Sequence, residues 1–239
     1  HLARVRRTLR GVCVGRVGER PAGFETCDYD PKVLREKLGV EVVTVTLETA
    51  FRVARHADVG TVAAVRESLA QRVSGLDELD QDALNGTLGV YTALRGVAAR
   101  DKLRGLAVRC WPEFFTELGC AACGAMSMLS DEQIPCGCEA DVNGTITQLI
   151  LQGLSDEPSF GTDLVSLDSE RDGVVVWHCG LAPLSMADPD AVPTGTIHSN
   201  RRLPLLMQFP LKPGVVTVAR LSAATGNLRL VVGRGEMVR

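Results

Sequence analysis

The residue types best suited to chemistry are concentrated in two segments, Cys110-Trp111-Pro112-Glu113 and Cys136-Gly137-Cys138-Glu139-Ala140-Asp141. In both, carboxylates stand among apolar or small residues rather than on a solvated charged face. Glu113 follows the apolar run 103–108, and Asp141 opens the amphipathic run 142–154. Carboxylates at the ends of buried elements supply oxygen ligands for a hard cation such as Mn²⁺ or Mg²⁺. They also serve as general bases once their surroundings tune their proton affinity. The plain alternative for Glu113, Glu139 and Asp141 is helix-start electrostatics, because acidic side chains are favoured in a first turn. The functional reading gains from position: both segments lie at the carboxyl end of an expected sheet strand, where open α/β sheets place their ligand sites.

Other candidates are less specific. His178 ends the apolar strand-like run Val174-Val175-Val176-Trp177 and precedes Gly180, a position open to a core histidine or a site histidine. His198 lies in a loop with Asn200, Arg201 and Arg202, a polar group able to contact a sugar or a phosphate. Gly11, Gly15 and Gly18 do not form the G-x-G-x-x-G dinucleotide fingerprint and read as a tight turn. Cys120-x-x-Cys123 and Cys136-x-Cys138 have the look of half a zinc site. However, the first pair shares an apolar helical face with Met126, and the second alternates across an extended segment. The four thiols are therefore expected to be reduced and not to converge.

The elements that must position these residues follow from the hydrophobic pattern. Strands are expected at 11–17, 40–45 and 104–109, with a further strand-like patch at 134–138. Helices are expected at 31–38, 47–56, 59–74, 80–100, 120–130 and 139–154. Pro31 suits a first helical position. Leu84, Leu88, Tyr91, Leu94 and Val97 recur at helical spacing. Alternating strands and helices imply an α/β fold built on a parallel sheet with crossover helices. From Pro158 the texture changes to short β-branched runs at 163–167, 173–178, 215–221 and 228–233, the pattern of an antiparallel, mainly β segment. The stretch 180–213, with six prolines, reads as a long loop. The expected division is an α/β domain over 1–157 and the start of a mainly β domain over 158–239.

Composition excludes several classes of partner. A net charge of −3 provides no field for nucleic acid or an anionic membrane, and an aromatic content of 4% provides no base-stacking platform. No apolar run is long enough to span a bilayer. The eight cysteines come without a secretory signal, so buried free thiols are expected rather than a disulfide framework. The chain begins at His1 and ends directly after a strand-like run, so a fragment of a longer protein is expected.

Several blocks together resemble the L-fucose isomerase/L-arabinose isomerase superfamily of metal-dependent aldose–ketose isomerases. They are Arg109-Cys-Trp-Pro-Glu113, Cys123-Gly-Ala-Met-Ser-Met-Leu-Ser130, Cys138-Glu-Ala-Asp-Val-Asn-Gly144, Trp177-His-Cys-Gly180 and Pro213-Gly-Val-Val-Thr-Val-Ala-Arg-Leu221. The C-E-x-D-x-x-G block is the most specific of them. The resemblance runs from about Gly11 to the end and implies a second α/β domain followed by part of a C-terminal β domain. It implies Asp141 as the aspartate ligand of Mn²⁺ (or Mg²⁺) and Glu113 as the glutamate ligand, with Glu117 near enough to serve instead. The same two carboxylates would ligate and transfer protons, and Trp111 and His178 would contact substrate. It further implies a cytoplasmic enzyme of carbohydrate metabolism acting on a small sugar and a homo-oligomer in the full-length protein. The last metal-binding histidine would be absent, so the fragment alone would be inactive. Two rivals belong to other classes: a non-catalytic sugar-binding or regulatory α/β module, and a zinc-stabilised structural domain.

Overall fold

Runs of β-branched and aliphatic residues form the four central strands: β1 (Val12–Val17), β2 (Val40–Val45), β3 (Leu103–Val108) and the short β4 (Cys136–Gly137). The computed structural model describes residues 2–238. The strands pair in the order β2-β1-β3-β4, all parallel. Parallel neighbours require crossover connections. These are α2 (Pro31–Leu38) between β1 and β2, then α3 (Leu47–Arg55), α4 (Val59–Ala70) and α5 (Gln81–Arg100) before β3. After β3 come α6 (Glu113–Glu117) and α7 (Cys123–Asp131), and after β4 comes α8 (Val142–Ser155). A first helix, α1 (Leu2–Leu9), packs on α8. Side-chain acceptors start the helices as local chemistry demands: Asp30 caps α2, Thr46 α3, Asp58 α4, Asp80 α5 and Asp141 α8.

Alternation along the strands feeds two cores. On one face, Val17, Leu103, Leu106 and Val108 meet Phe51, Leu84, Leu88, Leu94, Met126 and Leu129 from α3, α5 and α7. On the other, Val14, Val40 and Ala107 meet Leu9, Leu34, Ile146 and Leu149 from α1, α2 and α8. The result is a sheet covered on both faces, as an all-parallel sheet must be. The expected sheet and its helices are present. Several boundaries differ, and the helix expected over 59–74 ends at Ala70. The helix expected from 120 starts at Cys123, and the helix expected from 139 starts at Val142. The strand-like patch 134–138 contracts to Cys136–Gly137.

Beyond α8 the chain forms three antiparallel hairpins. They are β5 (Asp163–Asp168) with β6 (Gly173–Trp177), β7 (Thr194–Thr196) with β8 (Leu206–Gln208), and β9 (Gly214–Ser222) with β10 (Arg229–Met237). The region 180–213 is thus not one long loop. It contains β7 and β8, whose strands are too short to show alternation. Its base is fastened to the α/β body. The buried Thr87 hydroxyl donates to the Ala121 carbonyl at 2.8 Å and accepts from Leu205 N at 3.0 Å. Gly124 N donates to Leu205 O at 2.9 Å, and a Cβ on Gly124 would stand 2.7 Å from that oxygen. β9 lies on α8, with Leu221 N donating to Thr147 Oγ1 at 2.9 Å. Among the described residues, no helix is long and apolar enough to cross a membrane.

Candidate active site

The carboxyl ends of β1, β3 and β4 lie on one edge of the sheet because the strands are parallel. From this edge emerge Gly18 and Glu19 after β1, Arg109 to Glu113 after β3, and Cys138 to Asp141 after β4. Arg109 N donates to Val17 O at 2.8 Å, which locks the start of the Glu113 segment to β1. Gly137 allows the turn into α8 to fold tightly, since a Cβ there would stand 2.5 Å from Thr145 Oγ1 and 2.6 Å from Asp141 O. Glu139 and Ala140 complete that turn with positive φ of 55° and 56°.

The carboxylates differ in their partners. Glu113 is gripped by Arg109 through two contacts, Nε to Oε2 at 2.8 Å and a second guanidinium nitrogen to Oε1 at 2.7 Å. Arg109 holds its carboxyl below the usual glutamate range. Asp141 accepts from Gly144 N at 2.8 Å as the cap of α8 and is paired with Arg220 of β9, which also donates to Thr26 O at 2.8 Å. Glu139 makes no hydrogen bond or ion pair among the described residues. Burial raises its proton affinity, and the nearby His178 acts in the opposite direction. Glu117, the alternative glutamate, is exposed and lines a separate groove with Leu47, Arg52 and His56.

Among the described residues, two groups bring potential ligand atoms within 4.8 Å of one another inside the group: Cys110, Cys138 and Glu139 in one, and Cys123, Cys179 and His198 in the other. Neither contains Glu113 or Asp141. The four thiols weighed as a zinc site do not converge: Cys123 and Cys138 fall in different groups, and Cys120 and Cys136 in neither. All eight cysteines are free. Burial pushes the Cys120 thiol up to about 12 and raises Cys136 as well, so both are inert core residues.

Cys179 behaves differently. Its sulfur lies 3.9 Å from Cys123 Sγ and 3.4 Å from His178 Nδ1. The Cys123 thiol donating to it, with the His178 imidazole beside it, holds Cys179 well below the ordinary thiol range against the opposing effect of burial. Burial by itself would lower the proton affinity of His178, but Cys179 and Asp163 outweigh it and raise the imidazole to about 9. His178 also lines a cavity of about 780 Å³ with Phe160, Trp177, Asp188, Gln208 and Phe209. The 3.4 Å contact with Cys179 and the electrostatic contact with Glu139 tie His178 to the sheet edge.

Trp111 packs edge-on against Phe24, with ring centroids 5.9 Å apart, and carries the Arg201 guanidinium over its face at 4.9 Å. The sequence reading thus assigned Glu113, Asp141, Trp111 and His178 to the site, placed Arg201 in a polar loop able to contact a sugar or a phosphate, and gave no role to Glu139, Cys179, Arg109 or Arg220. The first of these was in view within the C-E-A-D block. The Arg220 pairing joins residues far apart in the chain, and no local spacing signals it.

The chain is similar to proteins named sulfoquinovose isomerase. That of Priestia megaterium (strain ATCC 12872 / QMB1551) is 33% identical over 242 residues, covering 99% of this chain and 53% of that protein. That of Alkalicoccus urumqiensis is 35% identical over 231 residues, covering 95% and 52%. That of Clostridium sp. (strain MSTE9) is 29% identical over 230 residues, covering 95% and 52%. The chain spans about half the length of these curated relatives. No protein-family model matches it.

Proposed function

We propose that this chain is part of an aldose–ketose isomerase of the L-fucose isomerase/L-arabinose isomerase superfamily, with a sulfonated hexose of the sulfoquinovose type as substrate. The observation that carries the reading is the similarity, over nearly the whole chain, to proteins bearing that isomerase name. The location of Glu113, Glu139 and Asp141 at the carboxyl edge of a parallel sheet supports it.

The reaction moves a proton between adjacent carbons of the open-chain sugar through an ene-diolate, while a second proton passes between the two oxygens. It needs a base near its operating pH and groups that stabilise the developing oxyanion. In the proposal, Glu113 and Asp141 are the carboxylates of the reaction. Glu139, whose burial favours the protonated form, is a further candidate to hold a proton beside the sugar. Trp111 forms a wall against the apolar face of the ring, and His178 offers a ring nitrogen to a substrate hydroxyl.

The oxygen atoms of Glu113 and Asp141 are of the type that suits Mn²⁺ or Mg²⁺. As arranged here they do not fit such an ion, since Arg109 occupies both oxygens of Glu113 and Arg220 is paired with Asp141. Metal binding at these two residues, which remains part of the proposal, requires both arginines to release them.

The test is to incubate the full-length protein with sulfoquinovose in heavy water and follow the sugar by NMR. The expected result is the corresponding ketose, with solvent deuterium entering at the carbons that exchange the proton. Failure to form a ketose from sulfoquinovose, L-fucose or L-arabinose, with or without added Mn²⁺, overturns the isomerase reading. Sugar binding without turnover would replace it with the sugar-binding module. Loss of Mn²⁺-dependent turnover in Asp141→Asn, with the fold intact, would support the metal role of that aspartate.

A further inference from the structure

A sulfonated sugar carries a permanent negative charge, and a site that selects it needs a cation whose hydrogen-bonding edge is free. Most guanidinium groups near the sheet edge are already committed. Arg109 is held by Glu113 and the Glu19 carbonyl, and Arg220 by Asp141 and the Thr26 carbonyl. Arg16 is paired with Glu19, and Arg20 lies 3.7 Å from Glu25 and 4.0 Å from Asp28. Arg201 has no carboxylate partner among the described residues. Its guanidinium carbon lies 4.9 Å from the centre of the Trp111 ring and 5.9 Å from that of Phe115. The ring faces attract the guanidinium charge, and its N–H groups make no hydrogen bond among the described residues, so they are available to a ligand.

The turn that carries Arg201 is braced. His198 N donates to Leu203 O at 2.9 Å, and Arg202 N donates to His198 O at 2.8 Å. His198 Nδ1 accepts from the backbone N–H groups of Asn200 and Arg201, each at 3.3 Å. The His198 ring packs edge-on against Phe115 with centroids 5.2 Å apart. The neighbouring Arg202 has no aromatic support among the described residues. Arg201 is thus an exposed but positioned cation, and its platform residue Trp111 stands two positions before Glu113.

We infer that Arg201 binds the anionic group of the substrate, donating two parallel N–H bonds to oxygens of a sulfonate carried on a hexose. The inference rests on the isomerase reading above and adds to it the residue that would set the substrate class.

The test compares sulfoquinovose with 6-deoxyglucose, its uncharged counterpart, in the full-length protein and its Arg201→Gln and Arg201→Lys variants. Charged hydrogen bonds of this kind lead us to expect Arg201→Gln to raise KM for sulfoquinovose roughly 10- to 100-fold. The value of kcat should change far less, KM or Ki for 6-deoxyglucose should stay put, and Arg201→Lys should recover part of the loss. An unmodified protein that converts no sugar sinks the isomerase reading. If that protein converts sulfoquinovose and Arg201→Gln leaves its KM unchanged, or weakens both sugars equally, only the Arg201 assignment falls. Tighter binding of glucose 6-phosphate than of sulfoquinovose overturns the choice of sulfonate as the anion.

Discussion

β3 and the β5–β6 hairpin are built from the same kinds of residue and occupy opposite environments. In β3, Leu106, Ala107 and Val108 are fully buried, while in the hairpin Leu164 is 71% and Leu167 80% exposed. The difference is topological. β3 pairs on both sides, with β1 and β4, and is covered by α5 and α8. The hairpin pairs only with itself and has no second layer among the described residues. β9–β10 is intermediate: Val215, Val231 and Val232 are exposed, whereas Leu221 is buried against α8. A pattern of β-branched residues identifies a strand. Whether that strand stabilises the fold depends on what the rest of the chain lays over it, and an isolated hairpin is marginal.

Truncation at matched positions gives the sharpest test. Leu106→Ala should destabilise by about 2–5 kcal/mol, because it leaves a cavity between the sheet and α5. Leu167→Ala should change stability by no more than about 0.5 kcal/mol. Both are read from denaturant midpoints, and equal effects would show that the hairpin is covered in solution.

A smaller effect is expected where β9 meets the α/β body. Arg220→Ala removes the ion pair to Asp141 and the bond to Thr26 O, for a loss of about 1–3 kcal/mol. The measurement is amide exchange, and the Leu221 amide, which bonds Thr147, should exchange faster. Unchanged protection would mean that Leu221 packing alone holds the strand.

The smallest effect depends on pH. Asp131 accepts from Ser185 N at 2.8 Å and pairs with Arg72 at 2.8 Å, fastening the 184–186 turn to α7. Burial raises its proton affinity, but Ser185 and Arg72 outweigh burial and lower it overall. A depressed folded-state pKa stabilises above the unfolded value, roughly 3.9, and that contribution disappears as pH falls through the folded value. Asp131→Asn should therefore cost about 1 kcal/mol at neutral pH, with the gap narrowing only below about pH 4. A gap that stays constant into strong acid would show that Asp131 does not fasten the turn as a carboxylate.

Much of the α/β body was legible because its signals are local. Pro31 at the start of α2, the capping aspartates and the spacing of Leu84, Leu88 and Leu94 each act within one element. Helix α1 was passed over because its apolar positions are interspersed with Arg4, Arg6 and Arg7, and β7 and β8 because three residues carry no alternation. At the candidate site, the sequence brings out Glu113, Asp141, Trp111 and His178 as types. It does not reveal that Arg220 reaches Asp141 from β9, or that Arg201 lies over Trp111, because those contacts depend on how the hairpins fold back.

The fastening of the 180–213 region at Thr87 and Gly124 separates what can change from what must not. Leu205 is fixed by a buried hydroxyl and by a glycine whose replacement would strike its carbonyl, so that anchor tolerates little drift. Residues 199–202 are exposed beyond the anchor, and substitutions there that keep His198 against Phe115 leave the core in place. If Arg201 reads the substrate's anion as inferred, exchanging one substrate for another takes only a handful of codons at this tip, and a protein engineer has the same short segment to randomise first.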